Sequence, residues 1–189
     1  ILGETVFYDC TIRVNEHTLI PRQETEELVD LIIKENKGFN GKITDFGTGS
    51  GCIAIALAKN LKEAHVTAID ISQEALDTAI LNAADNAVTV NFLKADILVP
   101  DRLPCEPAGI IVSNPPYIRE SEKNAMHRNV LDHEPHNALF VPDNDPLVFY
   151  RAILESAQIL LLPAGKIYFE INEALGAEVA TLAERYSLK

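Results

Sequence analysis

Residues 42–60, KITDFGTGSGCIAIALAKN, decide the fold. Lys42–Phe46 is a short run that reads as a strand, and Cys52–Asn60, rich in Ala, Ile and Leu, reads as a helix. Between them lies Asp45-Phe46-Gly47-Thr48-Gly49-Ser50-Gly51. Glycines let the chain turn tightly and let a ligand approach the backbone with no Cβ in the way. Strand, glycine loop and helix in this order place a ligand site at the carboxyl end of the strand. Two phosphate-binding readings are disfavoured. A Walker loop ends in Gly-Lys-Ser/Thr, whereas Cys52 and Ile53 follow Gly51. The dinucleotide fingerprint is G-x-G-x-x-G, and here the third glycine comes one residue early.

Outward from this stretch, strands and helices keep alternating. His65–Ile69 reads as a strand ending at Asp70, and Ser72 caps a helix that runs to about Asp85. Val88–Leu93 reads as a strand ending near Asp96, and Gly109–Ser113 as an apolar strand ending at Asn114. Pro146–Leu162 reads as a core helix closed by a Pro163-Ala164-Gly165 turn. A strand at Lys166–Ile171 and a helix at Ala174–Tyr186 complete the pattern. Such alternation predicts an α/β fold, Rossmann-like, with a mostly parallel doubly wound sheet. The near-continuous apolar strands suit a sheet covered on both faces.

Upstream, Thr5–Leu19 alternates and reads as a β-hairpin with its turn near Val14-Asn15-Glu16-His17. Pro21, acids after it and apolar Leu28, Leu31 and Ile32 mark a helix start. The expected organisation is a hairpin or linker element over residues 1–20 and one α/β domain over 21–189. The loop from Arg119 to Asp145 is long for a compact domain, and such loops are usually functional or mobile. The chain begins at Ile1 without an initiator Met and stops at Lys189 inside a helical pattern, so both ends read as fragment ends.

Sixteen basic against 28 acidic residues give a net charge of -12, which argues against a tight, nonspecific grip on nucleic acid. Cys10, Cys52 and Cys105 form no CxxC pair, so they read as thiols of a reducing cytoplasm rather than as a zinc or disulfide framework. No apolar stretch approaches the ~18 residues of a membrane span. His127, His133 and His136 lie near Asp132 and Glu134 in the long loop, but their spacing is loose, and no metal is expected. Glu134-Pro135 is read as shaping that loop.

Four polar features fall at strand ends. The glycine loop, Gly47, Thr48, Gly49, Ser50 and Gly51, is the first. Asp70, with Ile71 beside it, comes about 20 residues later, where an acid accepts the two hydroxyls of a ribose. Asp96 is placed to accept from an adenine amino group, and Ile97 to flank the ring. Asn114-Pro115-Pro116-Tyr117 follows the fourth strand. Its prolines fix the backbone and remove two N–H donors. What remains is carbonyls, an Asn amide and an aromatic ring, with no strong acid or base. That chemistry suits a planar nitrogen: Asn114 Oδ1 and the Pro115 carbonyl accept its two N–H groups, and Tyr117 stacks on its plane. Arg22, Glu24 and Glu26 begin the preceding helix and are candidates to close over the site.

These motifs carry a resemblance. The glycine loop, the acid and the Asn-Pro-Pro-Tyr loop resemble class I S-adenosylmethionine-dependent methyltransferases acting on planar nitrogen. More narrowly, ILGETVFYD, IPRQETEELV, DFGTGSGCIAIALA, AIDIS, VSNPPYI, EPHNAL and LLPAGKIYFEIN are similar to the HemK/PrmC family, the peptide chain release factor N5-glutamine methyltransferases. The likeness spans nearly the whole chain. It implies S-adenosylmethionine as cofactor, S-adenosylhomocysteine as product and the Gln of a release factor's GGQ loop as substrate in translation termination. The family usually carries a small helical domain before the ILGE segment, and that domain and a short C-terminal strand pair read as missing from this sequence. DFGTGSG stands where DLGTGSG is common, and EIN where EIG is common. Three other readings stay open on the residues alone. They are methylation of a nucleic-acid amino group with base flipping, a noncatalytic adenosine-ligand module and a NAD-dependent oxidoreductase.

Overall fold

The structure, a computed structural model, describes residues 3–100, 103–125 and 134–188. Its centre is a five-stranded parallel sheet. The strands are β3 (Lys42–Phe46), β4 (His65–Asp70), β5 (Asn91–Lys94), β6 (Ala108–Ser113) and β9 (Leu161–Phe169), in the order β5-β4-β3-β6-β9. The chain moves one way from β3 to β5, then returns to β3's other edge with β6. The strand order therefore reverses between β3 and β6, and ligands of open α/β sheets bind beyond the carboxyl ends at such a point. The register Phe46 opposite Ser113 brings the glycine loop and the Asn-Pro-Pro-Tyr loop out side by side. Ser113 Oγ donates to the Phe46 carbonyl at 2.6 Å and ties the two exits together.

Both faces are covered, as the apolar strands predict. Ile43, Val66, Ala68, Ile110 and Val112 face one cluster with α1 (Gln23–Glu35) and α2 (Cys52–Asn60). Phe46, Ile69 and Ile111 face another with α4 (Val148–Leu160). Adjacent residues of one strand divide between the two because strand side chains alternate. Burying each such side chain contributes about 1.5–3 kcal/mol. The last helix, α5 (Gly176–Arg185), packs Val179 and Leu182 against Tyr150 and Leu154 of α4.

Several elements differ from the sequence reading. The hairpin consists of β1 (Glu4–Phe7) and β2 (Cys10–Arg13), so its turn is Tyr8-Asp9 and not Val14–His17. Tyr8 sits at φ 53 with none of the usual turn residues to signal it. Tertiary contacts hold it there: its N–H donates to Glu26 Oε1 at 2.8 Å and its hydroxyl to Asp30 Oδ1 at 3.3 Å. Asn15-Glu16-His17 is a separate turn, closed by the His17 N–H on Asn15 Oδ1 at 2.9 Å. In α1 the buried stripe is Thr25, Val29 and Ile32, and Leu31 is exposed. Val88 and Val90 precede β5, and Pro163-Ala164-Gly165 forms a bulge within β9 rather than a turn before it. The long loop carries its own pairing, a two-residue parallel ladder of β7 (Ile118–Arg119) with β8 (Phe140–Val141).

The helix α3 (Gln73–Asp85), capped by Ser72 Oγ accepting the Ala75 N–H at 3.1 Å, carries fully buried Asn82. Asn82 accepts from the Arg13 N–H at 2.8 Å and donates to the Arg13 and Ser50 carbonyls at 3.1 and 2.8 Å. Asn86, one turn on, exchanges a similar pair with Thr11. One helix edge thus stands in for a neighbouring strand, docks the hairpin and holds the glycine loop.

Candidate active site

The glycine loop leaves β3 and bends back over β4. The Gly47 and Thr48 N–H groups both donate to the Ile69 carbonyl, at 2.8 and 3.0 Å. Gly47, Gly49 and Gly51 have φ of 72, 54 and 81°, a region that other residues enter only at a cost. A Cβ at Gly47 or Gly49 would meet nothing within 4 Å, whereas at Gly51 it would come within 2.9 Å of Ala79 Cβ. The first two glycines thus front open space, and the third packs α2 against α3. Gly51→Ala is expected to lower stability by about 2 kcal/mol, from overpacking and backbone strain together. Urea unfolding measures it, and an unchanged midpoint counts against this packing role.

That open space is a cavity of about 250 Å³ at the switch point. Of the residues singled out from sequence, Gly47, Thr48, Gly49, Ser50, Asp70, Ile71, Asp96, Ile97, Asn114 and Pro116 line it. Gly51, Pro115 and Tyr117 do not. Pro115 is buried, and the Tyr117 ring packs against the Tyr150–Leu154 cluster. Asp70 accepts the Gly49 N–H on one oxygen and the Ser72 N–H on the other, at 2.8 and 2.9 Å. Burial raises its carboxyl above the ordinary value, and the N–H donors of Ser72 and Gly49 work against that. Asp96 accepts the Leu98 N–H at 2.9 Å.

Beneath the loop lies Asp45, fully buried, which the sequence reading did not promote although it opens the glycine motif. Its Oδ2 accepts from Thr48 Oγ1 at 2.6 Å, and its Oδ1 has no partner among the described residues. Burial pushes this carboxyl up to about 7, the Thr48 hydroxyl opposes the rise and Asp70's charge adds to it. A raised folded value means that the folded state holds the proton more tightly. The contribution to stability is therefore full below the ordinary value of 3.8 and is lost as pH rises through about 7. Asp45→Asn removes this dependence. Between about pH 5 and pH 8 the wild-type chain is expected to lose stability relative to Asp45→Asn in urea unfolding. Parallel curves would refute the assignment.

On the other side of the cavity, the Asn114 amide Nδ2 donates to Thr25 Oγ1 at 3.2 Å. Thr25 in turn donates to Glu170 Oε2 at 2.6 Å, and Tyr117 donates to Glu170 Oε1 at 3.0 Å. Burial first, then Glu170's charge, raises the Tyr117 phenol, so it stays a donor. Sequence reasoning missed Thr25 and Glu170. Both lay inside quoted segments, IPRQETEELV and LLPAGKIYFEIN, but only the fold brings them together. Of the neighbours that were singled out, Glu26 and Arg22 hold structure. Glu26 carries the hairpin turn, Glu24 is exposed, and Arg22 donates at 2.6 Å to Glu134, whose side chain is buried. Glu134 thereby ties the long loop to the start of α1.

Cys10 and Cys52 are buried, and burial raises their thiols to about 11 and about 12, so neither is a ready nucleophile. His136 packs edge-on against Phe140 with ring centres 5.5 Å apart. His127, Asp132 and His133 lie outside the described residues. Among the described residues no three His, Cys, Asp or Glu side chains gather as a metal site, and no helix is long and apolar enough to cross a membrane.

Residues 23–139 match the family model described as a methyltransferase small domain. A methyltransferase from Pyrococcus furiosus superposes with a TM-score of 0.67 at 17% identity, covering 94% of this chain and 78% of its own. Strand order, cavity and family model together define a class I S-adenosylmethionine-dependent methyltransferase. A release factor glutamine methyltransferase of Flavobacterium psychrophilum is 56% identical over 193 residues, spanning 100% of this chain and 67% of its own length. One from Bacteroides thetaiotaomicron is 51% identical, over 97% of this chain and 66% of its own. The chain belongs to the release factor glutamine methyltransferase family, and it spans about two thirds of the length of these relatives.

Proposed function

We propose that this chain transfers the methyl group of S-adenosylmethionine to the side-chain amide nitrogen of a glutamine, that of the GGQ loop in peptide chain release factors. The observation that carries the reading is the Asn114 side chain. It lines the cavity beside the glycine loop, and its Nδ2 is committed to Thr25. Its Oδ1, with no hydrogen bond among the described residues, is left to accept. The identity of the substrate rests on the named relatives.

The cavity residues suit the cofactor. Asp70, Asp96, Ile71 and Ile97 all line the cavity, which supports reading Asp70 as the acceptor for the ribose hydroxyls, Asp96 as the acceptor for the adenine amino group, and Ile71 and Ile97 as flanks of the ring. Open space at Gly47 and Gly49 leaves room for a ligand against the backbone. When bound, S-adenosylmethionine supplies an electrophilic methyl group.

A glutamine amide is a poor nucleophile because its lone pair is delocalised into the carbonyl. Asn114 Oδ1 accepts one of its N–H groups, and the Pro115 carbonyl, in the backbone between cavity-lining Asn114 and Pro116, is the acceptor proposed for the other. Positioning of this kind supplies roughly 7–11 kcal/mol in favourable cases. The same acceptors stabilise the positive charge that develops on nitrogen. No strong base is needed, since the amide would become acidic as it gains the methyl group and the proton it sheds would pass to water. Tyr117, fixed by Glu170, braces the loop. The site is read as working in the cytoplasm, where release factors act.

Labelled cofactor incubated with release factor, and separately with DNA or RNA, tests the reading. Label is expected in a release-factor glutamine. Label in nucleic acid alone would favour the alternative substrate class, against which the net charge of -12 already argues.

A further inference from the structure

We infer that Glu170 and Thr25 are positioning residues that fix which way round the Asn114 amide faces, and so decide whether the loop can take its substrate. This inference rests on the amide-methylation reading above. The argument is one of hydrogen-bond direction. A carboxylate only accepts. Glu170 receives Thr25 Oγ1 on Oε2 at 2.6 Å and Tyr117 OH on Oε1 at 3.0 Å. The single Thr25 hydroxyl proton is thereby spent on Glu170, and toward Asn114 the oxygen offers only lone pairs. Asn114 must meet it with the NH2 group, as the 3.2 Å contact from Nδ2 shows. An amide has one donor end and one acceptor end, so Oδ1 is forced to the opposite side as the acceptor for a substrate NH2. Turned over, Asn114 would present NH2 to NH2 and repel the substrate.

The backbone makes the arrangement rigid. Thr25 is buried in α1. Glu170 follows β9, where its N–H donates to the Ser113 carbonyl at 3.1 Å and its carbonyl accepts from Tyr150 OH at 3.1 Å. Glu170 and Asn114 thus leave adjacent strands at the same level. No Lys or Arg pairs with Glu170 among the described residues, so its charge rests on the two hydroxyl donors.

Glu170→Gln keeps the shape but offers one acceptor end to two hydroxyls. The Tyr117 phenol, the stronger donor and weaker acceptor, takes the Gln oxygen, so the Gln NH2 faces Thr25, makes its hydroxyl an acceptor, frees its proton for Asn114 Oδ1 and turns the amide over. Thr25→Val removes the acceptor, and Thr25→Ser keeps it. Single-turnover methyl transfer to release factor is expected to fall ~10²-fold in Glu170→Gln and Thr25→Val, the loss typical of a misplaced reacting group. Thr25→Ser is expected to stay within ~5-fold of wild type and S-adenosylhomocysteine affinity within ~3-fold in all three, since the glycine loop, Asp70 and Asp96, the groups proposed to hold the cofactor, are unchanged. In NMR, the Asn114 side-chain NH2 is expected to exchange slowly in wild type and Thr25→Ser, and fast or at a shifted frequency in the other two. If wild type transfers and Glu170→Gln matches it, or if Thr25→Ser is as damaged as Thr25→Val, the inference fails. If wild type transfers nothing to release factor, the functional reading fails, and the Asn114 signal judges the inference by itself: an unchanged signal in Glu170→Gln overturns it. Should Thr25→Val not fold, Glu170→Gln and Thr25→Ser decide.

Discussion

Asn114→Ala is expected to lower the rate of methyl transfer by ~10²–10³-fold, the range seen when one preorganised polar group is removed from a transition state. Alanine removes the amide that links the cavity to the Thr25–Glu170 pair. It leaves the glycine loop and Asp70 alone, so S-adenosylhomocysteine binding is expected to stay within a few-fold of wild type. The fall should appear in the single-turnover rate constant rather than in cofactor affinity, because the lost interaction develops with charge on the substrate nitrogen. Asn114→Asp is the sharper companion. It keeps an acceptor but confronts Thr25 with a second carboxylate, and it should rescue little. A wild-type rate in Asn114→Ala would remove this side chain from the chemistry.

Asp70→Ala is expected to weaken S-adenosylhomocysteine binding by ~10²–10³-fold, because hydrogen bonds to a charged acceptor contribute about 1.5–3 kcal/mol each. The substitution does harm twice. It takes away the acceptor proposed for the two ribose hydroxyls. It also orphans the Gly49 and Ser72 N–H groups, which hold the loop and the start of α3. Calorimetry gives the affinity. The thermal shift at fixed ligand gives an independent reading, since a ligand that binds only the folded state stabilises it by mass action. Asp70→Asn keeps one acceptor per side chain and should lie between. If Asp70→Ala binds S-adenosylhomocysteine as wild type does, the nucleoside end of the cavity has been placed wrongly.

The parts of this site visible in the sequence are those that are local. The glycine loop, Asp70, Asp96 and Asn114-Pro115-Pro116-Tyr117 each sit within a few residues of a strand end. The strand–helix alternation that identifies those ends is a short-range pattern. Ser72 as a cap and Cys52–Asn60 as a helix are local for the same reason. What escaped is relational. Thr25 lies 145 residues from Glu170 in sequence, and nothing in the composition of either segment announces the contact. Tyr8 turns the hairpin because Glu26 and Asp30 receive it, not because tyrosine favours turns. The apolar Val88 and Val90 satisfied a strand pattern, yet they lie ahead of β5 and pack at its edge of the core. Tyr117 is the intermediate case. Its place in the loop was legible, but its ring turned toward α4, because Glu170 holds the hydroxyl and the Tyr150–Leu154 cluster takes the ring.

The reversal of strand order between β3 and β6 also bears on how this protein comes into being. The two halves of the cavity leave neighbouring strands joined by a bond that spans 67 residues of chain, Ser113 Oγ to the Phe46 carbonyl. Contacts of such separation are the slow ones to form, because the entropy of closing the intervening chain must be met before they return anything. A β3–α2–β4–α3 unit, glycine loop included, therefore carries one wall of the cavity and no site. A ligand that needs both walls binds only the closed sheet, and by mass action it stabilises that state.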